Sequence, residues 1–445
     1  MANHHLLMAY YGDDFTGSTD ALEFLSRAGA KTALFIEAPT ATQLSAYSDL
    51  KAIGVAGLSR SMSPVQMEET LFPTFTALKA LGVKHVHYKV CSTFDSSPNI
   101  GSIGKAIDVG ASVFKNTCIP LLVAAPSLGR YCAFGNLFAR MGIGSEGQIH
   151  RLDRHPSMSK HPVTPADESD LRIHLAKQTD KKIGLLDILQ VAKPYQELKE
   201  GLKKQLEEQA GVLLIDAMYE SQFSNIGRLL DELAEPDQPL FSVGSSGIEM
   251  ALGKYWNEIQ ELQAVTTWEK LEKANPLLVI AGSCSPVTSR QISWALEHGF
   301  KEIIIDAQAI CDTEINEALL KEYLEKAVSL AQNCHHLIIH TNGSKTNVQA
   351  TLSSEKLGKA LGLIAKKVVS ESEVKRVVIA GGDTSSYAAR AMKIEAVEMI
   401  APLVAGAPVC KARSANPFIN GIEVNFKGGQ VGDERYFGIL LDGKL

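Results

Sequence analysis

Residues 6–20 constrain the fold most, because a predicted strand, a polar turn and a predicted helix follow one another within LLMAYYGDDFTGSTD. The apolar run 6–10 predicts a buried strand, which a glycine ends. Asp13 and Asp14 come next, and an amphipathic helix is expected from Asp20 onward. In an open α/β sheet this place is the carboxyl edge, where ligands bind. The two carboxylates could equally shape a turn, with Asp20 capping the helix.

The same alternation of strand and helix signals continues along the chain and predicts an α/β fold. Helices are predicted at 64–80 and 106–114, and strands at 31–36, 52–57, 85–90, 120–125, 182–185, 212–216 and 240–243. The stretch 143–165 is irregular and too long for a plain connection. A second series of predicted strands covers 277–281, 302–306, 337–341, 377–380 and 397–400.

A polar segment separates the two series of strands. This segment, 258–275, has a helical composition and ends before Pro276, so we interpret it as a linker. A chain of 445 residues is also longer than one hydrophobic core usually serves. We therefore predict two domains, 1–257 and 276–445, each with a mostly parallel sheet flanked by helices. The active site is expected in the cleft between them.

The composition is that of an ordinary globular protein and argues against several classes of function. The formal net charge of -6 does not favour nucleic-acid binding. Seven cysteines are scattered singly without a CxxC pair, so neither a zinc knuckle nor a disulfide framework is indicated. No leader of the signal-peptide type and no apolar run of membrane-spanning length occurs. We expect a cytoplasmic protein without a membrane partner, and homodimerisation stays open.

Three predicted strand ends in the second half carry small and polar residues directly before a helix, at 282–285, 342–345 and 381–386. Glycines in such turns let backbone N–H groups approach an anion, and the helix N-terminus adds a favourable dipole. Several such turns on one sheet edge indicate a phosphate-binding surface. The chain contains neither GxxxxGK[ST] nor a GxGxxG fingerprint after the first strand, so a Walker A loop and a dinucleotide site are not indicated.

Individual charged residues at these turns each allow two interpretations. Asp383 could hold Mg²⁺ or cap the following helix. Arg130 suits bidentate recognition of a carboxylate, and the alternative is a surface arginine in a loop. Lys89 and His161 could contact the ligand or serve their own loops. Lys427, followed by two glycines, could contact phosphate or belong to a plain hairpin connection.

Taken together, five segments resemble the four-carbon acid sugar kinase family along nearly the whole chain. In order, they are YGDDFTGSTD, APSLGRYCAFGNLF, HPVTPADESDLRIHLAKQTDKKIGLL, GSCSPVTSRQ and GGDTSS. Each segment alone is a weak signal, but five in order at suitable spacing are specific. The resemblance implies a sugar-acid-binding N-terminal domain and an ATP-binding C-terminal domain. It also implies Mg²⁺-assisted phosphoryl transfer from ATP to a hydroxyl of a small sugar acid.

The resemblance further implies roles for particular residues. On the substrate side, Asp14 is expected to accept the hydroxyl proton, with Asp13 as its nearest substitute, and Arg130 is expected to hold the substrate carboxylate. The nucleotide-side motifs contain Ser283, Ser285, Gly381, Gly382, Asp383, Thr384 and Gly428. The alternative from another class is a non-catalytic sensor of a sugar acid or a nucleotide with the same fold.

One segment departs from the family pattern and bears on the substrate. Relatives that act on linear tetronates have a Lys-Asp-Ser-Thr-Leu-Arg-Gly pattern after the third strand, whereas this chain has KVCSTFDSSPNIG. Ser92 and Thr93 are retained, but Cys91 replaces the aspartate and Asp95 replaces the arginine. An aspartate accepts hydrogen bonds from hydroxyls and cannot pair with a carboxylate. The departure resembles the 3-oxo-isoapionate kinase branch, which acts on a branched oxo sugar acid, and 3-oxo-tetronate, threonate and erythronate stay as alternatives.

Overall fold

The computed structural model describes residues 6–141, 147–161, 163–235, 238–282, 285–311, 314–341 and 353–444. The chain divides into two compact units. The first comprises Met1–Ala33 and Glu37–Thr266, and the second comprises Leu34–Ile36 and Thr267–Leu445. Both units combine helices with mostly parallel strands, which confirms the predicted fold class.

The first unit is built around a parallel sheet flanked by helices. Its strands are β1 (Met8–Gly12), β2 (Thr32–Phe35, which continues into the second unit), β3 (Ala52–Ala56), β4 (His85–Lys89), β5 (Ile119–Leu122), β6 (Arg130–Ala133), β7 (Asn136–Arg140), β8 (Ile149–Arg151), β9 (Ile183–Leu186), β10 (Val212–Ile215) and β11 (Leu240–Gly244). Its helices are α1 (Phe15–Arg27), α2 (Ala41–Ser45), α3 (Pro64–Lys79), α4 (Ile103–Phe114), α5 (Leu171–Ala176), α6 (Ile188–Val191), α7 (Tyr195–Glu207), α8 (Phe223–Leu233) and α9 (Gly247–Glu258). The parallel strands have the order β3-β1-β4-β11-β5-β10-β9, and β6-β7-β8 form a separate antiparallel sheet.

The second unit repeats this plan with an antiparallel extension. Its strands are β12 (Leu277–Ala281), β13 (Lys301–Ile305), β14 (Leu337–Thr341), β15 (Arg376–Ala380), β16 (Ala396–Val404), β17 (Ala407–Arg413) and β18 (Glu423–Lys427). Its helices are α10 (Pro286–Glu297), α11 (Ala307–Ile310), α12 (Glu317–Gln332), α13 (Ser354–Glu371), α14 (Gly382–Ala391) and α15 (Tyr436–Asp442). The order is β13-β14-β12-β15-β18-β17-β16, parallel as far as β18. Among the described residues, no helix combines the length and the apolar character that a membrane span requires.

The start of α1 differs from the prediction. The helix begins at Phe15, and Asp14 caps it by accepting a hydrogen bond from the Gly17 backbone N–H at 2.6 Å. A side-chain oxygen at this position satisfies one of the free N–H groups of the first turn. Asp20 therefore does not cap the helix, because it lies inside α1 with its side chain turned to the interior.

Three further expectations are corrected. Residues 259–275 contain no helix, because this mostly exposed segment has no apolar stripe that a helix could bury. The strand predicted at 120–125 ends at Leu122, and the strand predicted at 397–400 extends over all of β16 and pairs antiparallel with β17.

The polar segment after β5 forms the hairpin β6–β7, whose two-residue turn has positive φ at Phe134 and Gly135. A phenylalanine at the first turn position hides the usual sequence signal of such a hairpin.

An aromatic cluster anchors α3 on the sheet of the first unit. Phe75 is fully buried, and its ring centroid lies 5.1–6.3 Å from those of Tyr11, Tyr88, Phe114 and Phe241. These rings come from β1, β4, α4 and β11, so one side chain joins elements that are distant in sequence. Aromatic pairs in such arrangements add to the free energy of burial.

We expect Phe75→Ala to destabilise the first unit by roughly 3–5 kcal/mol, because it removes a buried ring and leaves a cavity. The same substitution at Phe72, on the same helix but 50% exposed, should cost less than about 0.5 kcal/mol. Chemical denaturation of both variants measures the difference. Equal costs would show that the aromatic cluster does not anchor α3.

Candidate functional site

The acidic turn predicted after the first strand lies at the carboxyl end of β1 and is held by an arginine. Arg60 donates to both oxygens of Asp13, from Nη2 at 2.7 Å and from Nε at 3.1 Å. Its Nη1 donates to Oδ2 of Asp14 at 2.6 Å. One guanidinium therefore neutralises part of the charge of two adjacent carboxylates and fixes their orientation.

Sequence reasoning missed Arg60. It lies in the turn that follows β3, and β3 pairs in parallel with β1, so the two turns meet at one sheet edge. The Arg60 backbone N–H also donates to the Asp13 carbonyl at 3.0 Å. The available signal was weak, because the segment LSRSMS has no feature besides its position after a predicted strand.

The two carboxylates have different surroundings. Burial raises the pKa of Asp13 above its usual value, and the neighbouring Asp14 adds to this effect, while Arg60 opposes it. The Asp13 side chain is 3% exposed and that of Asp14 is 20% exposed. Asp14 is thus the carboxylate that a ligand from solution reaches more easily, although one of its oxygens also caps α1.

Lys89 lies behind the acidic turn, at the end of β4. It is buried, donates to the Val90 carbonyl at 3.0 Å and pairs with Asp20 at 3.4 Å. Asp20 also accepts a short hydrogen bond from Ser246 at the start of α9. Burial alone would lower the pKa of Lys89, but nearby carboxylates, Asp20 foremost, raise it. Lys89 is therefore charged, and Asp20 and the Val90 carbonyl hold its ammonium inside the unit.

The segment after β4 contains Cys91 and Asp95, the two residues that depart from the family pattern. The thiol of Cys91 lies 2.9 Å from the hydroxyl of Thr93, and both Thr93 and Ser92 are largely buried. Burial, together with the nearby Asp95 carboxylate, raises the pKa of Cys91 to about 11. Cys91 is consequently a neutral thiol at physiological pH, whereas an aspartate would carry a full charge there.

Asp95 has an oxygen that no group of the protein satisfies. Its Oδ1 is buried and has no hydrogen-bond partner within the part of the chain that the structure describes. A cavity of about 10 Å³, close to the room that one water needs, lies beside it and is also lined by Thr93, Thr164 and His174. A buried acceptor without a donor is costly, so this position suits a ligand or a water that donates.

Arg130 opens β6 and is almost fully buried. Its Nη1 donates to the backbone carbonyls of Leu128, Gly129 and Arg140, at 2.8, 3.4 and 3.2 Å. Its Nε has no partner, and no carboxylate of the described residues lies within ion-pairing distance of the guanidinium. Burial lowers its pKa, yet an arginine in a protein remains protonated. Arg130 therefore carries a positive charge that forms no ion pair with a carboxylate of the described residues, although Asp95 and Asp20 act on it from a greater distance.

His161 serves the conformation of its own loop. Its Nδ1 accepts a hydrogen bond from the Thr164 backbone N–H at 3.0 Å and lies 3.0 Å from the Thr164 hydroxyl. The neutral ring then carries its hydrogen on Nε2. Thr164 lines the cavity beside Asp95 and His161 does not, so among the described contacts Thr164 connects His161 to that cavity.

In the second unit, the predicted glycine turns lie at the carboxyl ends of parallel strands. Gly282 follows β12, and a Cβ atom there would overlap the hydroxyl of Thr384 in the first turn of α14. Gly381 follows β15 with φ at +116°, a backbone conformation that favours glycine. Its N–H donates to the Lys427 carbonyl at 2.9 Å, and Gly382 begins α14. These contacts keep the turn compact beside a helix N-terminus.

The residue that caps α10 contacts the segment that follows β18. Ser285 caps α10 by accepting from the Thr288 backbone N–H at 3.1 Å, and it donates to the Gly429 carbonyl. Gly428, directly after β18, accepts a hydrogen bond from the Val431 N–H at 3.2 Å. Ser283 and the predicted turn 342–345 lie outside the described residues.

Asp383 does not cap α14, because Gly381 holds the cap position and Asp383 lies in the first turn with an exposed side chain. The described residues contain no group of three or more histidine, cysteine or acidic side chains that could hold a metal alone. A single exposed carboxylate beside a helix N-terminus does fit Mg²⁺ that is coordinated mainly by nucleotide phosphates.

Comparison with known proteins assigns the two halves of the chain to two different domain families. A sugar-binding N-terminal domain model matches residues 8–252, and a nucleotide-binding C-terminal domain model matches residues 278–437. Crystal structures of proteins from Salmonella typhimurium LT2 and Haemophilus influenzae share the fold, with TM-scores of 0.77 and 0.71 at 22% and 21% identity. Each covers 97% of this chain, and the matches span 97% and 98% of the two proteins.

Relatives with named activities match over the full length. A 3-oxo-isoapionate kinase from Paraburkholderia graminis is 38% identical over 99% of this chain and 95% of its own. Two 3-oxo-tetronate kinases, from Pseudomonas savastanoi pv. phaseolicola and Methylobacterium radiotolerans, are 27% and 28% identical, over 99% and 98% of this chain and 97% and 99% of their own. The chain therefore belongs to the four-carbon acid sugar kinase family, and it is a sugar-acid kinase.

Proposed function

We propose that this protein phosphorylates a hydroxyl of 3-oxo-isoapionate, a branched oxo sugar acid, with ATP as the donor. The single observation that carries the choice of substrate is the buried, unsatisfied Oδ1 of Asp95. It supplies an acceptor for a hydroxyl, and the neutral Cys91 thiol beside it removes the charge that an aspartate would have. The higher identity to the 3-oxo-isoapionate kinase than to the 3-oxo-tetronate kinases supports the same choice.

The linear acids 3-oxo-tetronate, threonate and erythronate are the alternative substrates. In relatives that act on linear tetronates, the position of Asp95 is expected to carry an arginine, which pairs with a carboxylate. With Asp95 in that place, the substrate carboxylate needs another cation. Arg130 is buried and lacks a carboxylate partner among the described residues, so we assign the carboxylate to Arg130.

The roles that we propose for Asp13 and Asp14 follow from their exposure and from their contacts with Arg60. Asp14 accepts the proton of the attacking hydroxyl, because it is the more exposed of the two carboxylates. Asp13 holds Arg60 in a bidentate pair, which keeps Asp14 oriented and its charge partly balanced. Phosphoryl transfer requires positioning and charge stabilisation more than covalent help from the protein. The backbone N–H groups of the turns at Gly282 and Gly381 would hold the phosphates. We assign Ser285, Thr384 and Gly428 to the nucleotide as well, and Ser283 by its sequence motif.

Mg²⁺, when bound with the nucleotide, would neutralise charge on the transferring phosphate. Asp383 would hold it, directly or through water. The reaction needs ATP, so we place it in the cytoplasm, with the sugar acid and ATP as its partners. Neither a nucleic acid nor a membrane is needed for this chemistry, and a homodimer stays a prediction.

We expect Asp14→Asn to lower kcat by roughly 10²–10⁴-fold, because a positioned general base is lost. Asparagine also caps helices well, so the fold and ATP binding should be retained. Asp13→Asn is the matched variant, and its smaller loss in kcat should show that it acts through Arg60. Steady-state kinetics of both variants, with ATP affinity measured separately, decide the assignment. Near-normal kcat in Asp14→Asn with a large loss in Asp13→Asn would reverse the two roles.

Asp95→Ala should reduce kcat/KM for the branched acid by roughly 10- to 150-fold, the effect of losing one hydrogen bond to a charged group. The same variant should change kcat/KM for a linear tetronate much less, since that acid lacks the extra hydroxymethyl group. Asp180→Ala, at an exposed position of the same unit, serves as the control. An equal loss on both acids would mean that Asp95 supports its loop and does not select the branch.

A further inference from the structure

Lys427 ends β18 at the carboxyl edge of the second sheet. In the parallel register it lies opposite Ala380, one residue before the Gly381 turn. Its side chain crosses to the first turn of α10, where Nζ donates to the Thr288 hydroxyl at 3.0 Å. The same hydroxyl and Ser285 both contact the Gly429 carbonyl. Lys427 therefore lies among the turns that carry the nucleotide-side motifs.

The charge of Lys427 has no counterpart in the described residues. The side chain is fully buried, and no carboxylate lies within ion-pairing distance in that part of the chain. Besides Thr288, its ammonium has the ring of Tyr436 at 5.7 Å. Arg376 is also buried in the same unit, and an ion pair with Glu423 at 2.5 Å compensates its charge. Two of the three N–H donors of Lys427 thus lack an acceptor within the described residues.

Two electrostatic costs coincide at this side chain, loss of hydration and an unfavourable helix dipole. A buried cation loses its hydration, and here no anion of the described chain compensates it. The ammonium also lies at the N-terminal end of α10, where the helix dipole favours negative charge and disfavours a cation. Burial alone lowers the pKa of Lys427 to about 8, and no charged side chain contributes. An anion at this position would offset both costs together.

We infer that Lys427 supplies the positive charge that binds a phosphate group of the nucleotide at the turn 381–384. The inference rests on the proposed function and extends it, since it assigns a phosphate-binding role to a residue at the end of β18. Two helix N-termini, those of α10 and α14, lie at this edge, together with the N–H donors of Lys427 that have no acceptor among the described residues. Each of the three favours an anion.

Calorimetric titration of the full chain with ATP and with adenosine tests the assignment. Lys427→Met keeps the apolar stem and removes the charge, so the Kd for ATP should rise by about 10- to 100-fold, whereas the Kd for adenosine should change less than about threefold. Lys375→Met, at an exposed lysine before the amino end of β15, should leave both values unchanged. Unchanged ATP affinity in a folded Lys427→Met protein would overturn the inference. Absence of ATP binding by the unsubstituted protein would instead contradict the proposed function.

Thermal unfolding without nucleotide separates a phosphate-binding lysine from a structural one. Below pH 8 the folded chain carries the buried charge, so Lys427→Met should unfold at the same or a higher temperature than the unsubstituted protein. Between pH 8 and 10.5 the folded state loses this proton before the unfolded state does, so the unsubstituted protein should gain stability relative to the variant. A lower Tm of Lys427→Met at pH 7 would show a structural role and overturn the inference.

A measurement on the unsubstituted protein covers the case in which the variant does not fold. If a phosphate binds at Lys427, it raises the pKa of that lysine, so ATP binding at pH 8.5 should take up a proton. Titrations in buffers of different ionisation enthalpy measure this uptake. Uptake of a fraction of one proton supports the inference, and ATP binding with no uptake contradicts it.

Discussion

A lysine or arginine is costly to bury unless an anion shares its site. Among the described residues, four such side chains are buried: Lys89, Arg130, Arg376 and Lys427. Lys89 pairs with Asp20 and Arg376 pairs with Glu423. Arg130 and Lys427 have no carboxylate partner, and they lie in different units. A kinase that transfers a phosphoryl group from ATP to a sugar acid binds two anionic substrates. We propose that Arg130 and Lys427, the buried cations without a carboxylate partner among the described residues, serve one substrate each.

The acidic turn differs, because part of its negative charge is already compensated by cations of the described chain. Arg60 bridges Asp13 and Asp14, while Lys89 and Asp20 form a second pair behind them. This arrangement keeps two adjacent carboxylates together at one sheet edge, which their mutual repulsion would otherwise oppose. It also leaves Asp14 the more exposed of the two carboxylates, which is why we propose Asp14 as the proton acceptor. Because one guanidinium contacts both carboxylates, replacing Arg60 would affect Asp13 and Asp14 together.

The sequence predicts the sheet edges well and the ion pairs poorly. Apolar runs that stop at Gly, Ser or Asp give the strands and the turns of Asp13 and Gly381, because both depend on neighbours in sequence. Arg60 pairs with residues 46 and 47 positions away, and no local pattern encodes such a contact. The absence of a carboxylate partner for Lys427 among the described residues is likewise a property of the folded chain. The hairpin after β5 was missed because Phe134 adopts a conformation that usually selects Asn or Gly.

The most direct test of the account is whether the chain moves phosphate from ATP to a branched sugar acid. The full-length protein is incubated with ATP, Mg²⁺ and either 3-oxo-isoapionate or 3-oxo-tetronate, and ADP release is followed together with the mass of the acid. The account predicts one phosphorylated acid for each ADP and a higher kcat/KM for the branched acid. Binding of acid and ATP without turnover would indicate a sensor, and a clear preference for the linear acid would contradict the assignment of Asp95.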